Sequence, residues 1–182
     1  MRFKALAALA LLPALLAATK APPVHEVRIR IVTTAGTIVV ALDPVHAPKT
    51  VANFLHYVDT KFFNGGTFFR VIPGFVIQGG NKPRESPSDA KLTLEDPKDT
   101  GLKNVDGAIS MARTADPDSA TSEFFIDDGA QPRLDGGPGQ PGYAAFGHVV
   151  SGMKVVRAIA RLPAKDEFLA IPIQIVKIER IK

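Results

Sequence analysis

The sequence predicts a mainly β domain, either a closed barrel or a sandwich, with no more than two helices. Seven or eight stretches of strand length carry apolar residues, and turn residues separate them. Only two stretches repeat apolar residues at helical spacing. The 182 residues include 15 Gly and 15 Pro, with 7% aromatics and no Trp, which favours short strands joined by turns over long helices. With 46% hydrophobic and 22% charged residues, the chain can bury one core, and its length suits one domain with at most an appended segment.

The appended segment comes first. Arg2 and Lys4 precede an apolar run, 5–18, that is rich in Ala and Leu and interrupted by Pro13. Small residues, Ala17 and Ala18, and the polar pair Thr19-Lys20 follow it. This is the layout of a secretory signal peptide. The run is shorter than the roughly 20 residues that span a bilayer. A leader over 1–18 is therefore expected, cleaved after Ala18 with Ala17 and Ala21 as alternatives, and followed by one domain over 24–182. After cleavage no stable membrane insertion is expected.

Within the domain, Val27, Ile29 and Ile31 alternate with Arg28 and Arg30, as in a strand with one buried face. Residues 33–37 form a tight hairpin turn, and 38–42 return. Pro48 opens a helix in which Val51, Phe54, Leu55 and Val58 share a face. A second helix is expected from Ser151, as its N-cap, to Arg161, with Pro163 just beyond. Between the helices, strands are expected over 67–72, 75–78, 108–111, 124–127 and 146–149. A last strand, 171–178, places Ile171, Ile173 and Ile175 on one face. The stretch 80–106 reads as a long irregular loop.

Several chemistries are excluded. The absence of Cys removes disulfides, thiolate zinc sites, iron–sulfur clusters and a cysteine nucleophile. No G-x-S-x-G, H-E-x-x-H or P-loop pattern occurs, and the four histidines have no metal-ligand spacing. Neither a metal nor a cofactor is expected. Asp127-Asp128 and the pair Asp116/Asp118 sit in turn-like sequence and read as solvated turn carboxylates. The excess of 22 Lys+Arg over 18 Asp+Glu is small and forms no basic run, so nucleic acid is not an expected partner. Nothing points to an obligate oligomer, and a monomer is the expected state.

Polar residues inside apolar strands stand out. Arg70 and Gln78 flank a Pro73-Gly74 turn in otherwise apolar sequence, and burying such groups without partners costs a few kcal/mol. They lie in the phrase RVIPGFVIQGG (70–80), which is followed by NVDGAISMART (104–114), DSATSEFFI (118–126) and GYAAFG (142–147).

In this order and spacing, these phrases resemble the cyclophilin family of peptidyl-prolyl cis-trans isomerases, in particular its exported bacterial members, from about Val27 to Ile178. The resemblance implies an eight-stranded antiparallel β-barrel capped by two helices. On its outer face a groove would receive proline-containing segments of unfolded or folding exported proteins. It implies catalysis of X–Pro rotation by Arg70 with Gln78 beside it. Phe75, Val76, Phe125 and Leu134 would wall the proline pocket, with Ala112 along the substrate backbone and Tyr143, where many eukaryotic members have His, also contacting substrate. It also implies a periplasmic role in protein folding. The alternative is a non-catalytic chaperone module that uses the same groove to hold proline-containing segments.

Taken without the resemblance, Arg70 reads as a surface arginine held by a salt bridge, and Phe75 and Phe125 as core aromatics. Three departures from the family pattern stand out. Glu123 replaces the usual Gln and is expected to reach Arg70 and modulate it. Arg133 stands where cyclosporin-sensitive members carry Trp, which implies weak cyclosporin binding. The Gly/Pro-rich insert 136–142 is expected to reshape one rim of the groove.

Overall fold

The computed structural model of the chain describes residues 26–81, 95 and 97–181. The expected leader over 1–18 and its cleavage site lie outside the described residues. In chain order the elements are β1 (Val27–Thr33), β2 (Gly36–Leu42), α1 (Pro48–Asp59), β3 (Thr67–Ile72), β4 (Val76–Gly80) and α2 (Pro97–Thr100). They continue with β5 (Ala108–Met111), β6 (Phe124–Asp127), β7 (Ala145–Ser151), α3 (Met153–Ala160), β8 (Ala164–Lys165) and β9 (Phe168–Ile181).

Nine strands form one antiparallel sheet in the order β1-β2-β7-β5-β6-β4-β3-β9-β8. Pairing of β1 with β9 closes eight of them into a barrel, while the two-residue β8 pairs with the start of β9. Closure decides between the barrel and the sandwich that periodicity left open, and it removes the free strand edges of an open sheet. The interior is filled by alternate residues. Ile29 and Ile31 point inward from β1, Ile38 and Val40 from β2, and Phe124 and Ile126 from β6. Helix α1 covers one end, where Phe54 meets Phe63, Phe124 and Phe146 at ring-centroid distances of 5.0, 5.3 and 5.1 Å. Helix α3 buries Val156, Ile159 and Ala160. Among the described residues no helix is long and apolar enough to cross a membrane.

Helix α1 begins at Pro48 as the sequence predicts, but Ala47 offers no capping side chain. The Glu95 carboxylate caps it from a distance. Its oxygens accept from the amides of Lys49 and Thr50 and from the Thr50 hydroxyl, satisfying N–H groups the helix itself cannot. The stretch 80–106 also contains the single turn α2, not loop alone.

Four expectations need correction. Ser151 is not an N-cap: it ends β7, opposite Val39 of β2, and α3 starts only after Gly152. Gly152 has φ +97°, and a Cβ there would lie 2.5 Å from the Thr37 carbonyl oxygen, so the chain turns at that point and not at Ser151. Phe75 belongs to a tight turn rather than to β4. Its amide donates to the Ile72 carbonyl at 2.9 Å across Pro73-Gly74, with Gly74 at φ +74°, as a type II turn requires. Strand β9 does not keep one alternation. Opposite β1 it carries an extra residue, Val176, so that both Ile175 and Ile178 are buried. Opposite β3, residues 169–172 face Phe69 alone, a stretch in which Leu169 is buried while Ile171 is 82% exposed. Asp127 and Asp128 are not solvated turn residues, since both are buried at the end of β6. Asp116 does act at a turn, accepting from the Asp118 amide at 3.0 Å.

Candidate active site

The sheet has two apolar sides. Inside the barrel lies the main core, and outside it Val76, Ala112 and Phe125 form a second cluster with Phe75, Leu134 and Tyr143 packed against it. Strand alternation produces the split: Phe124 and Ile126 face in and Phe125 faces out, while Ile77 faces in between Val76 and Gln78. Register aligns the row, with Arg70 opposite Gln78 across β3 and β4, and Gln78 opposite Phe125 across β4 and β6. The pairing of β3 slips at Phe69, between Phe68 and Arg70, so one extra residue is accommodated before the arginine. Phe68 is fully buried, and Arg70 lines the outer cavity.

That cavity holds about 300 Å³ and is lined by Arg70, Phe75, Val76, Gln78, Ala112, Arg113, Phe125, Leu134 and Tyr143. The two residues assigned to catalysis and the six assigned to substrate binding thus meet in one concavity. Arg113 is the ninth lining residue, and sequence reasoning gave it no role. Its guanidinium carbon lies 4.4 Å from the centre of the Tyr143 ring. Its nitrogens donate to the carbonyls of Thr114, Pro141 and Gly142 at 2.7 to 3.2 Å, tying the Gly/Pro-rich insert to the rim. Tyr143 also meets Phe125 edge-on at 5.6 Å, and its amide donates to the Leu134 carbonyl at 2.7 Å. Arg133 is exposed on the turn Pro132–Asp135 and does not line the cavity.

Arg70 is held on two sides. Its Nε and Nη2 donate to Oε2 of Glu167 at 2.8 and 2.6 Å, and its Nη1 donates to Oε1 of Gln78 at 3.0 Å. Three of the five guanidinium N–H groups are engaged in this way, leaving one on each terminal nitrogen for a ligand. Glu167 was not singled out in the sequence. Glu123 reaches the arginine's neighbour, its Oε2 accepting from Gln78 Nε2 at 2.8 Å. Because Gln78 accepts from Arg70 and donates to Glu123, its amide orientation is fixed from both ends. The salt-bridged and the cavity-lining readings of Arg70 therefore hold together.

Such a site offers a directed positive charge beside an apolar, ring-sized notch. Among the described residues no cluster of three His, Asp or Glu side chains is arranged to hold a metal.

Comparison with known proteins identifies the family and the fold. Residues 28–181 match the family model described as "Cyclophilin type peptidyl-prolyl cis-trans isomerase/CLD". The chain is 45% identical over 135 residues to "Peptidyl-prolyl cis-trans isomerase A" of Dickeya dadantii, covering 74% of this chain and 71% of that one. It is 40% identical over 156 residues to the isomerase cyp18 of Streptomyces antibioticus, covering 82% and 94% respectively. A Cryptosporidium parvum cyclophilin-type isomerase, solved in the presence of the dipeptide Ala-Pro, superposes with a TM-score of 0.72 at 26% identity, covering 85% of this chain and 99% of that chain.

Proposed function

The chain belongs to the cyclophilin-type family of peptidyl-prolyl cis-trans isomerases, and from that premise we propose that it accelerates rotation about X–Pro bonds in exported polypeptides, with Arg70 as the catalytic group. The observation that supports this most directly is the guanidinium of Arg70 lining the same cavity as Phe75, Val76, Phe125 and Leu134.

Amide resonance sets a barrier of about 18–20 kcal/mol to rotation, and X–Pro bonds isomerise unaided in tens to hundreds of seconds. In the twisted state conjugation is lost, and the prolyl nitrogen becomes pyramidal with a usable lone pair. The cluster of Phe75, Val76, Phe125 and Leu134 holds the ring while the preceding carbonyl turns. The two remaining N–H groups of Arg70 donate to the nitrogen or to the flanking carbonyl, binding the twisted bond more tightly than the planar one. Gln78 keeps the guanidinium in the plane this requires. Accelerating the step from ~10⁻² to ~10³ s⁻¹ takes about 7 kcal/mol, which one positioned charged donor and a fixed ring can supply.

The test compares wild type with Arg70→Ala in an X–Pro peptide isomerisation assay at low temperature. A loss of at least about 100-fold in kcat/KM is expected on removing the donor. Equal rates for the two, neither above background, would replace the isomerase with the binding-module alternative.

The run 5–18 and the small residues behind it support export to the periplasm, where the clients would be other exported chains. Full-length chain expressed in a bacterium should appear in the periplasmic fraction with its N-terminus at Thr19. Cytoplasmic protein retaining Met1 would refute the export reading.

A further inference from the structure

Glu167 combines two features that do not belong together in an ordinary hairpin. It is the second of two residues, Asp166 and Glu167, that join β8 to β9, with Lys165 opposite Phe168. Both have positive φ, +50° and +72°, the signature of the type I′ turn. That turn favours Asn-Gly, because a side chain with a Cβ is disfavoured in the left-handed region. Here the position normally given to Gly carries a long charged side chain, and that side chain grips Arg70 through Nε and Nη2. The turn itself is anchored to β3, with the Val71 amide donating to the Glu167 carbonyl at 2.8 Å. Backbone and side chain of one residue thus hold the residues at positions 70 and 71 together.

We propose that Glu167 is a positioning residue for the isomerase reaction. Held by its carboxylate on the side opposite Gln78, the guanidinium presents its two remaining N–H groups to the cavity. Backbone strain at this turn position is retained because a Gly there would leave Arg70 gripped on one side only. An arginine free to sample its rotamers must be ordered anew in each turnover, and that ordering falls on the transition state. Glu167 lies at the rim, its side chain 49% exposed against 28% for Arg70, so it holds the arginine without blocking the notch. The proposal rests on the isomerase reading of the site given above.

The experiment measures kcat and KM on an X–Pro peptide, together with thermal midpoint, for Glu167→Gly, Glu167→Ala, Glu167→Gln and Asp166→Gly. Glu167→Gly and Glu167→Ala should lower kcat about 3- to 10-fold with KM changed less than about twofold. Glu167→Gln keeps an acceptor for Nε and should recover most of the rate. Glu167→Gly should hold or raise the thermal midpoint, because it relieves the turn, and Asp166→Gly should do the same with kcat unchanged. The Arg70 Nε–H resonance in NMR should be sharp and protected in wild type and lost to exchange in Glu167→Ala. An unchanged kcat in the Gly and Ala variants, or an unchanged Nε–H signal, overturns the proposal. So does a loss of kcat that tracks only a loss of folded protein. Wild type and Arg70→Ala equally inactive would overturn the isomerase reading and this proposal with it. That result is distinguishable, because there is then no Arg70-dependent rate for Glu167 to affect.

Discussion

Arg70 is at once an ion-paired surface arginine and a wall of the cavity, and its neighbours determine how many donors it can offer. Gln78 is the hinge of this arrangement, accepting from Arg70 and donating to Glu123. In Glu123→Gln the side-chain oxygen can still accept from Gln78, while a negative charge is removed from beside the groove. We therefore expect kcat/KM to be unchanged or raised by up to about threefold, given the small worth of a partly exposed charge. A clear fall in kcat/KM on the X–Pro peptide would show that the carboxylate itself is needed. At this scale much of the site was legible. Arg70 and Gln78 are out of place in apolar strands. Phe75, Val76, Ala112, Phe125, Leu134 and Tyr143 could be named only through the resemblance to the cyclophilin family, since apolar side chains by themselves read as core. Glu167 was not legible, because it lies 97 positions from Arg70 and meets it only through strand pairing. Nor was Arg113, whose partners are backbone carbonyls and one ring, and a sequence does not show where those will stand.

Elements aim what residues supply. The register slip at Phe69 lets Phe68 fill the barrel while Arg70 meets the cavity, so β3 serves both sides of its own sheet. The strands 67–72, 108–111 and 124–127 could be bounded from their apolar runs and flanking turn residues, and all three match the observed elements. The entry to α3 could not, because Ser151 carries the local capping signal while pairing of β7 with β2 overrides it. What sets that entry is Gly152, at φ +97° and packed against the Thr37 carbonyl and the Ile38 backbone. Gly152→Ala places a methyl group within 2.5 Å of backbone and also strains φ, so a destabilisation of about 2–4 kcal/mol is expected. Urea unfolding measures it, and a change below about 0.5 kcal/mol would mean that the turn relaxes freely. The last strand is longer than the expected 171–178, and its face was misread at Ile171: residues 169–172 bulge opposite Phe69 of β3, and strict alternation along β9 cannot announce extra residues within it.

At the scale of the whole molecule, placing the site on the outer face leaves the barrel interior free to be packed with rings and aliphatic chains. Closure itself was beyond periodicity, since it depends on β1 meeting β9 at opposite ends of the domain. One group fits this division poorly. Asp127, fully buried at the end of β6, has two carboxyl oxygens with no hydrogen-bond partner among the described residues. Burial, and then the charges of Asp135 and Asp106, push its pKa from 3.8 up to about 8. The neighbouring charges are themselves engaged, Asp106 by Arg157 at 2.6 Å and Asp135 by the Asn104 amide at 2.7 Å. The folded protein therefore keeps a proton that the unfolded chain releases near pH 4. Stability from this group is full below the unfolded value and is lost as pH rises towards about 8, by at most about 1.4 kcal/mol per pH unit. Asp43 and Glu95 run the other way. Burial pushes both up, but hydrogen bonds involving His46 and Thr50 outweigh it and hold both below the usual carboxylate range. Their contribution is present above the unfolded value and disappears only on acidification. Stability should thus peak between the two windows, at mildly acidic pH, and decline towards pH 8.5. Asp127→Asn carries no charge to bury. Its urea midpoint should stay level across that alkaline range and exceed wild type at pH 8.5 by about 1–3 kcal/mol in stability. Parallel wild-type and variant curves from pH 5 to 8.5 would show that Asp127 is solvated or paired in solution and takes no part in the decline.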